Sequence, residues 1–135
     1  MTTTALETGL FGKLSTDSAL VTALGGTLIY NKLAPQGTTG SYVVFQWQGG
    51  GPENDTPRES TSVLYTVRCI ADTQAAAATL AGLVDNALHK QTLTISGHNN
   101  YWTAKEQELN LLELTGGADP KYHVGGIYRI SFDAT

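Results

Sequence analysis

The chain holds a single cysteine, Cys69, which excludes an internal disulfide and any cysteine-based metal site within one copy. Basic residues are also few: eight, spread singly from Lys13 to Arg129, against twelve acids, for a net charge of -4. That balance argues against a nucleic-acid binder that works by neutralising phosphates. No apolar run approaches the roughly 20 residues a membrane helix needs. The start, Met1-Thr-Thr-Thr-Ala5, lacks the basic and apolar regions of a signal peptide. Synthesis in a reducing cytoplasm is therefore expected, and Asn54-Asp55-Thr56 reads as a chance match to a glycosylation acceptor.

Catalytic spacings are missing too. His89, His98 and His123 fall on a helix end, in a turn and at a strand start, with no His-x-x-x-His or Cys-x-x-Cys arrangement. Gly-x-Ser-x-Gly is absent, and Cys69 sits mid-strand, where a free thiol behaves as a small buried hydrophobe. Gly49-Gly-Gly-Pro52 lacks the Gly-Lys-Ser/Thr ending of a phosphate loop, precedes no helix, and reads as a flexible loop. Glu106 and Glu108, two apart on a strand, would share a face and read as solvated acids. The expectation is a protein that is not an enzyme, with no catalytic residue, cofactor or metal.

What is present is a globular composition. Over 135 residues, 41% hydrophobic, the chain is long enough for one domain, 1–135, to bury roughly two thirds of its unfolded surface. Charged residues make up only 15%, leaving the surface to Thr, Ser, Gly, Asn and Gln. Such a surface suits a subunit covered by neighbours, and equally an ordinary soluble protein.

Thr4-Ala-Leu-Glu7 reads as a capping box, followed by Leu6, Leu10, Phe11 and Leu14 on one helical face. A second short helix spans about Asp17 to Leu24 and ends at Gly25-Gly26. Strands are expected at Thr27–Lys32, Ser41–Gln48 and Ser60–Ala71. In the last, Val63, Tyr65, Val67 and Cys69 face one way and Leu64, Thr66, Arg68 and Ile70 the other, so it is central. Thr73 to Lys90 is the longest helix, with Ala76, Leu80, Leu83, Val84, Ala87 and Leu88 as its apolar stripe.

Short strands follow at Gln91–Ser96 and Tyr101–Lys105. Glu106 to Leu114 has helix propensity but reads as strand in a meander. Thr115–Lys121 is a turn, and His123–Phe132 closes the chain, with Gly125-Gly126 marking a bulge or a close backbone approach. The fold class is α+β: a mainly antiparallel sheet of five or six strands, one long amphipathic helix and a short N-terminal helical pair packed on it.

The segment Gly49–Ser60 is long for a link between hairpin partners. One reading is a tolerated insertion; the other is an arm that orders against a neighbouring subunit. In the second, Glu53, Asp55, Arg58 and Glu59 form intersubunit ion pairs, and Trp47 at its base is a contact anchor or a core residue at a strand end. Asp119 and Lys121, in the 115–121 turn, join them as candidate interface residues.

Ala34-Pro35-Gln36-Gly37 precedes the strand Tyr42-Val-Val-Phe45, with a short helical start and a strand before it and a long strand and an amphipathic helix after it. This order resembles the tail-completion (tail-terminator) proteins of long-tailed bacteriophages. The likeness spans nearly the whole chain and is sharpest at Leu28–Gln46, Leu64–Ile70, the Ala-rich helix after Asp72, and Tyr128-Arg-Ile-Ser-Phe132. The resemblance implies a structural virion protein of the tail or neck, assembled in the host bacterial cytoplasm. Six copies would ring the head-proximal end of the tail tube, stop its polymerisation, and offer a docking surface to the head–tail connector. DNA would pass through the lumen without specific binding, and no membrane would be involved. A head-closure or tail-tube subunit, and a small ligand-binding α+β domain, stand as alternatives.

Overall fold

A computed structural model describes residues 3–35, 38, 40–53, 60–113 and 120–134. Helices α1 (Thr3–Ser15) and α2 (Ser18–Leu24) lead into strands β1 (Ile29–Asn31), β2 (Tyr42–Pro52) and β3 (Ser60–Ala71). Helix α3 (Gln74–Leu88) and strands β4 (His98–Glu113) and β5 (Lys121–Ala134) complete the described chain. The strands form one sheet in the order β1-β2-β3-β5-β4, antiparallel except for β1 beside β2. The α+β class and the mostly antiparallel sheet agree with the sequence reading.

The parallel pair is a departure from the expected meander. Parallel neighbours ordinarily need a crossover of about a dozen residues, and the short 32–41 link gave no such signal. Of its described residues, Lys32, Leu33, Pro35 and Thr38 line a cavity on one face of the sheet together with Val44, Arg68 and Ile70. The other face carries the helices. Val63, Tyr65, Val67 and Cys69 of β3 meet Leu6, Leu10 and Leu14 of α1, Leu20 and Leu24 of α2, and Leu80, Val84 and Leu88 of α3 in one apolar cluster.

The helix ends follow local chemistry. Asp17 caps α2 by accepting from the Leu20 N–H at 3.0 Å, and Gly25 closes it with φ 79°. Thr73 caps α3 through the Ala76 N–H at 3.2 Å. The capping box expected at Thr4–Glu7 does not form: Thr4 lies inside α1, and the Glu7 carboxylate accepts from the Tyr65 hydroxyl at 3.1 Å. Phe11 lies at the edge of the apolar face, 38% exposed.

The apolar stripe of α3 is rotated from the expected one. Ala77 and Ala81 are buried and Ala76 is exposed. A run of consecutive alanines, Ala75–Ala78, carries no phase, and the phase is set by Leu80, Val84 and Leu88 together with Asp85, which accepts from the Tyr128 hydroxyl at 3.0 Å.

Three strand boundaries also need correction. Gly49–Pro52, read as loop, continues β2 and pairs with Thr61–Leu64 after a bulge at Trp47/Gly49. Gly50 has φ 102° and passes so close to the Ser62 carbonyl that a side chain there would collide with it. Gln91–Ser96 is not a strand: its Leu93 N–H donates to the Asn100 side chain at 2.8 Å. Residues 98–113 form one strand, so the strand reading of 106–113 holds and the break before Tyr101 does not. Gly125 is a close approach, not a bulge, since a Cβ would strike the Val67 carbonyl.

Candidate functional site

The helix-free face of the sheet is where the chain's unusual chemistry collects. Alternation along β3 and β5 sends Ser62, Thr66, Arg68, His123, Arg129 and Ser131 to this side. Arg129 donates from Nη1 to Ser62 Oγ at 3.0 Å and from Nε to Glu106 at 2.8 Å. Ser62 and Ser131 hydroxyls lie 3.0 Å apart, and the Thr66 hydroxyl donates to Gln48. The hydrogen bond from Arg129 holds the Glu106 carboxyl below its ordinary range, and that same bond raises Arg129.

At one end of this face, Lys32, Tyr42, Arg68, Glu113 and His123 line a cavity of about 350 Å³. His123 Nδ1 faces Arg68 Nη1 at 3.4 Å. A guanidinium can only donate, so Nδ1 accepts and the Nε2 proton goes to Glu113 at 2.7 Å. Arg68 reaches the Gln46 side chain at 3.4 Å, and its buried Nε has no hydrogen-bond partner among the described residues. Nothing in this set supplies a nucleophile beside a base. Among the described residues no group of three or more His, Cys, Asp or Glu side chains could hold a metal. His89 accepts from the Lys105 N–H at 3.1 Å and His98 stacks edge-on against Phe132, each far in the fold from His123.

Of the residues singled out from the sequence, Trp47 lies at the β2 bulge, 44% exposed, with its indole N–H donated to the Gly49 carbonyl at 2.7 Å. Glu53 is exposed at the end of β2 and its N–H donates to the Ser60 carbonyl at 2.7 Å. Lys121 is the first residue of β5 and pairs with Asp72 at 2.5 Å. Asp55, Arg58, Glu59 and Asp119 lie outside the described residues. Glu106 and Glu108 do not share a face. A bulge between Lys105 and Gln107 flips the alternation, sending Glu106 to Arg129 and Glu108 to Lys105 at 3.2 Å.

The exposed apolar side chains of β4 were missed. Tyr101, Trp102, Leu111 and Leu112 are all close to half exposed, and Leu33 is exposed by 83%. A signal for them existed: Leu109, Leu111 and Leu112 put apolar groups on both faces of a strand for which the sequence has no further helix to offer as cover. Such a strand at a sheet edge marks a contact surface.

The model of a family described as tail completion protein gp17 matches residues 8–107. A chain in the virion of a native gene transfer agent (GTA) particle superposes with a TM-score of 0.78 at 21% identity, over 96% of this chain and 95% of that one. A second solved chain, which carries no functional description, superposes with a TM-score of 0.56 at 14% identity, over 100% of this chain and 96% of that one. At these identities the two structures show a shared fold. No curated protein sequence matches the chain significantly.

Proposed function

The chain belongs to the tail completion protein gp17 family, and from that premise we propose that it is a structural subunit of a phage tail that acts by binding. Made in the host bacterium, it stays in the virion at the neck. Copies form a ring, six in number, at the head-proximal end of the tail tube. One side of the ring complements the last tube ring and ends polymerisation; the other receives the head–tail connector, and DNA passes through the lumen without specific binding. Residues 1–135 serve as a single domain in this role.

The family match over residues 8–107 carries the reading, and the occurrence of the same fold in a gene transfer agent virion supports it. A scarcity of charge and the half-exposed apolar groups of β4 fit a subunit that neighbours cover. Trp47, Glu53, Asp55, Arg58, Glu59, Asp119 and Lys121 are proposed as contacts to the axial partners.

Electron microscopy and light scattering of the purified protein, alone and with tail tubes of its own phage, test the proposal. Closed rings, or density capping one tube end, are expected. Open stacks would assign the chain to the tube, because a contact that does not close grows without limit. A monomer that ignores tubes would remove the terminator role.

A further inference from the structure

The two edges of the sheet match each other at one level, and we infer that they join neighbouring copies. In this inference, which rests on the ring reading, β1 of one copy adds as an antiparallel strand to the distal half of β4 in the next. The sheet then runs on from subunit to subunit.

Strand direction comes first. β1 is parallel to β2, and each of the three further steps β2–β3, β3–β5 and β5–β4 is antiparallel. β1 therefore runs antiparallel to β4. Copies related by rotation without a flip bring together an antiparallel pair, the geometry that needs no strain to form a ladder.

Level is the second condition. Following the paired residues across the sheet, Ile29 lies level with Val43, Cys69, Val124 and Asn110. Asn31 lies level with Phe45, Val67, Gly126 and Glu108 by the same path. Contact at one level keeps copies in a plane, which permits a ring to close where a stagger would climb into a filament.

The backbone groups agree as well. Leu28 C=O accepts from Val43 N–H at 2.9 Å and Lys32 N–H donates to Phe45 C=O at 2.7 Å. Even-numbered groups of β1 thus face β2, and those of Ile29 and Asn31 face outward. On β4, Thr103 C=O and Lys105 N–H point outward, where Lys90 N–H and His89 Nδ1 take them up. The bulge at Lys105/Gln107 shifts the parity, so beyond it Glu108, Asn110 and Leu112 point outward. Among the described residues no backbone group pairs with that stretch of edge. Ile29 meets Asn110 as a hydrogen-bonded pair, and Asn31 meets Glu108 through its N–H and the second lone pair of its C=O, the first being taken by Leu33 N–H at 2.8 Å, with Tyr30 and Leu109 as the close pair between them.

Side chains complete the fit. Lys32 is exposed and has no ion pair among the described residues; with φ 72° it follows the last ladder residue, Asn31, and brings a cation to the end of the contact nearest Glu108. One step the other way, Leu28 falls opposite Leu111, which is 52% exposed in the single copy.

The test is a cross-link. Tyr30→Cys and Leu109→Cys in one chain place thiols on a non-hydrogen-bonded pair, about 4.5 Å apart at Cα, within the reach of a disulfide. The native Cys69 is buried and does not compete. Oxidised rings of the double variant should run on a non-reducing gel as a ladder up to ring size, and neither single variant should. Rings without a ladder would overturn the edge contact and leave the ring reading standing. Wild type that forms no ring, alone or on tubes, would remove the ring and this contact with it. As a second variant, Asn110→Pro deletes only an outward-facing N–H, so the β4–β5 ladder keeps its bonds. It should stay monomeric with a near-native thermal midpoint; ring formation equal to wild type would overturn the proposal.

Discussion

The Tyr65 hydroxyl donates to the Glu7 carboxylate at 3.1 Å, fastening the first helix to the central strand of the sheet. Burial, then the nearby Glu7 charge and its hydrogen bond, push the Tyr65 phenol well above its ordinary range. The bond replaces the helix cap that the Thr4–Glu7 pattern announces. Tyr65→Phe should lose about 1 kcal/mol, read from urea unfolding, and Glu7→Gln should lose less because the amide oxygen can still accept.

Asn100 should be the most sensitive polar residue. Its Oδ1 accepts from Leu93 N–H at 2.8 Å and the Thr103 hydroxyl at 3.0 Å, while Nδ2 donates to the carbonyls of Trp102 at 3.1 Å and Ser131 at 2.9 Å. Asn100→Asp puts an oxygen against two carbonyls and should cost about 3 kcal/mol. Hydrogen exchange at the Leu93 amide should accelerate in parallel.

Two glycines of α1 should respond with opposite signs. A Cβ on Gly9 would strike the Thr94 carbonyl, whereas one on Gly12 meets nothing within 4 Å. Gly9→Ala should destabilise by about 1–3 kcal/mol through overpacking. Gly12→Ala should stabilise by about 0.5–1 kcal/mol through helix propensity. Thermal unfolding of the two variants side by side separates the effects.

Cys69 is fully buried, and burial pushes its thiol up to about 12. It should resist a thiol-specific reagent in the native protein and react at once in denaturant, since the thiolate is the reactive form. Fast native labelling would show that β3 opens.

The Glu106–Arg129 pair should make stability pH-dependent in acid. Because the carboxyl is held below its unfolded value, the contribution is present above the unfolded value of about 4.3 and is lost as pH falls through the folded one. The urea midpoint difference between wild type and Glu106→Gln should therefore shrink from pH 6 toward pH 3.

Much of this fold was legible because periodicity and turn chemistry are local. Val63, Tyr65, Val67 and Cys69 alternate as a central strand must, and Asp17, Gly25 and Thr73 mark helix ends by what their side chains or φ angles permit. The misreadings fall where local signals are silent. Gly49–Pro52 looks like loop by composition, and only pairing with Thr61–Leu64 makes it strand. Gln91–Ser96 alternates correctly, yet the Asn100 side chain and α1 at Gly9 hold it as an irregular segment.

The candidate surface divides the same way. The sequence alone determined which residues are apolar, which carry charge, and that no catalytic spacing is present, because these are properties of residue type and separation along the chain. Tertiary structure alone decided that β1 lies parallel to β2, that a bulge parts Glu106 from Glu108, and that Leu111 and Leu112 end half-exposed on the edge strand β4. Strand order and register depend on contacts between residues far apart in sequence, and those contacts are fixed only when the sheet and its helices pack together.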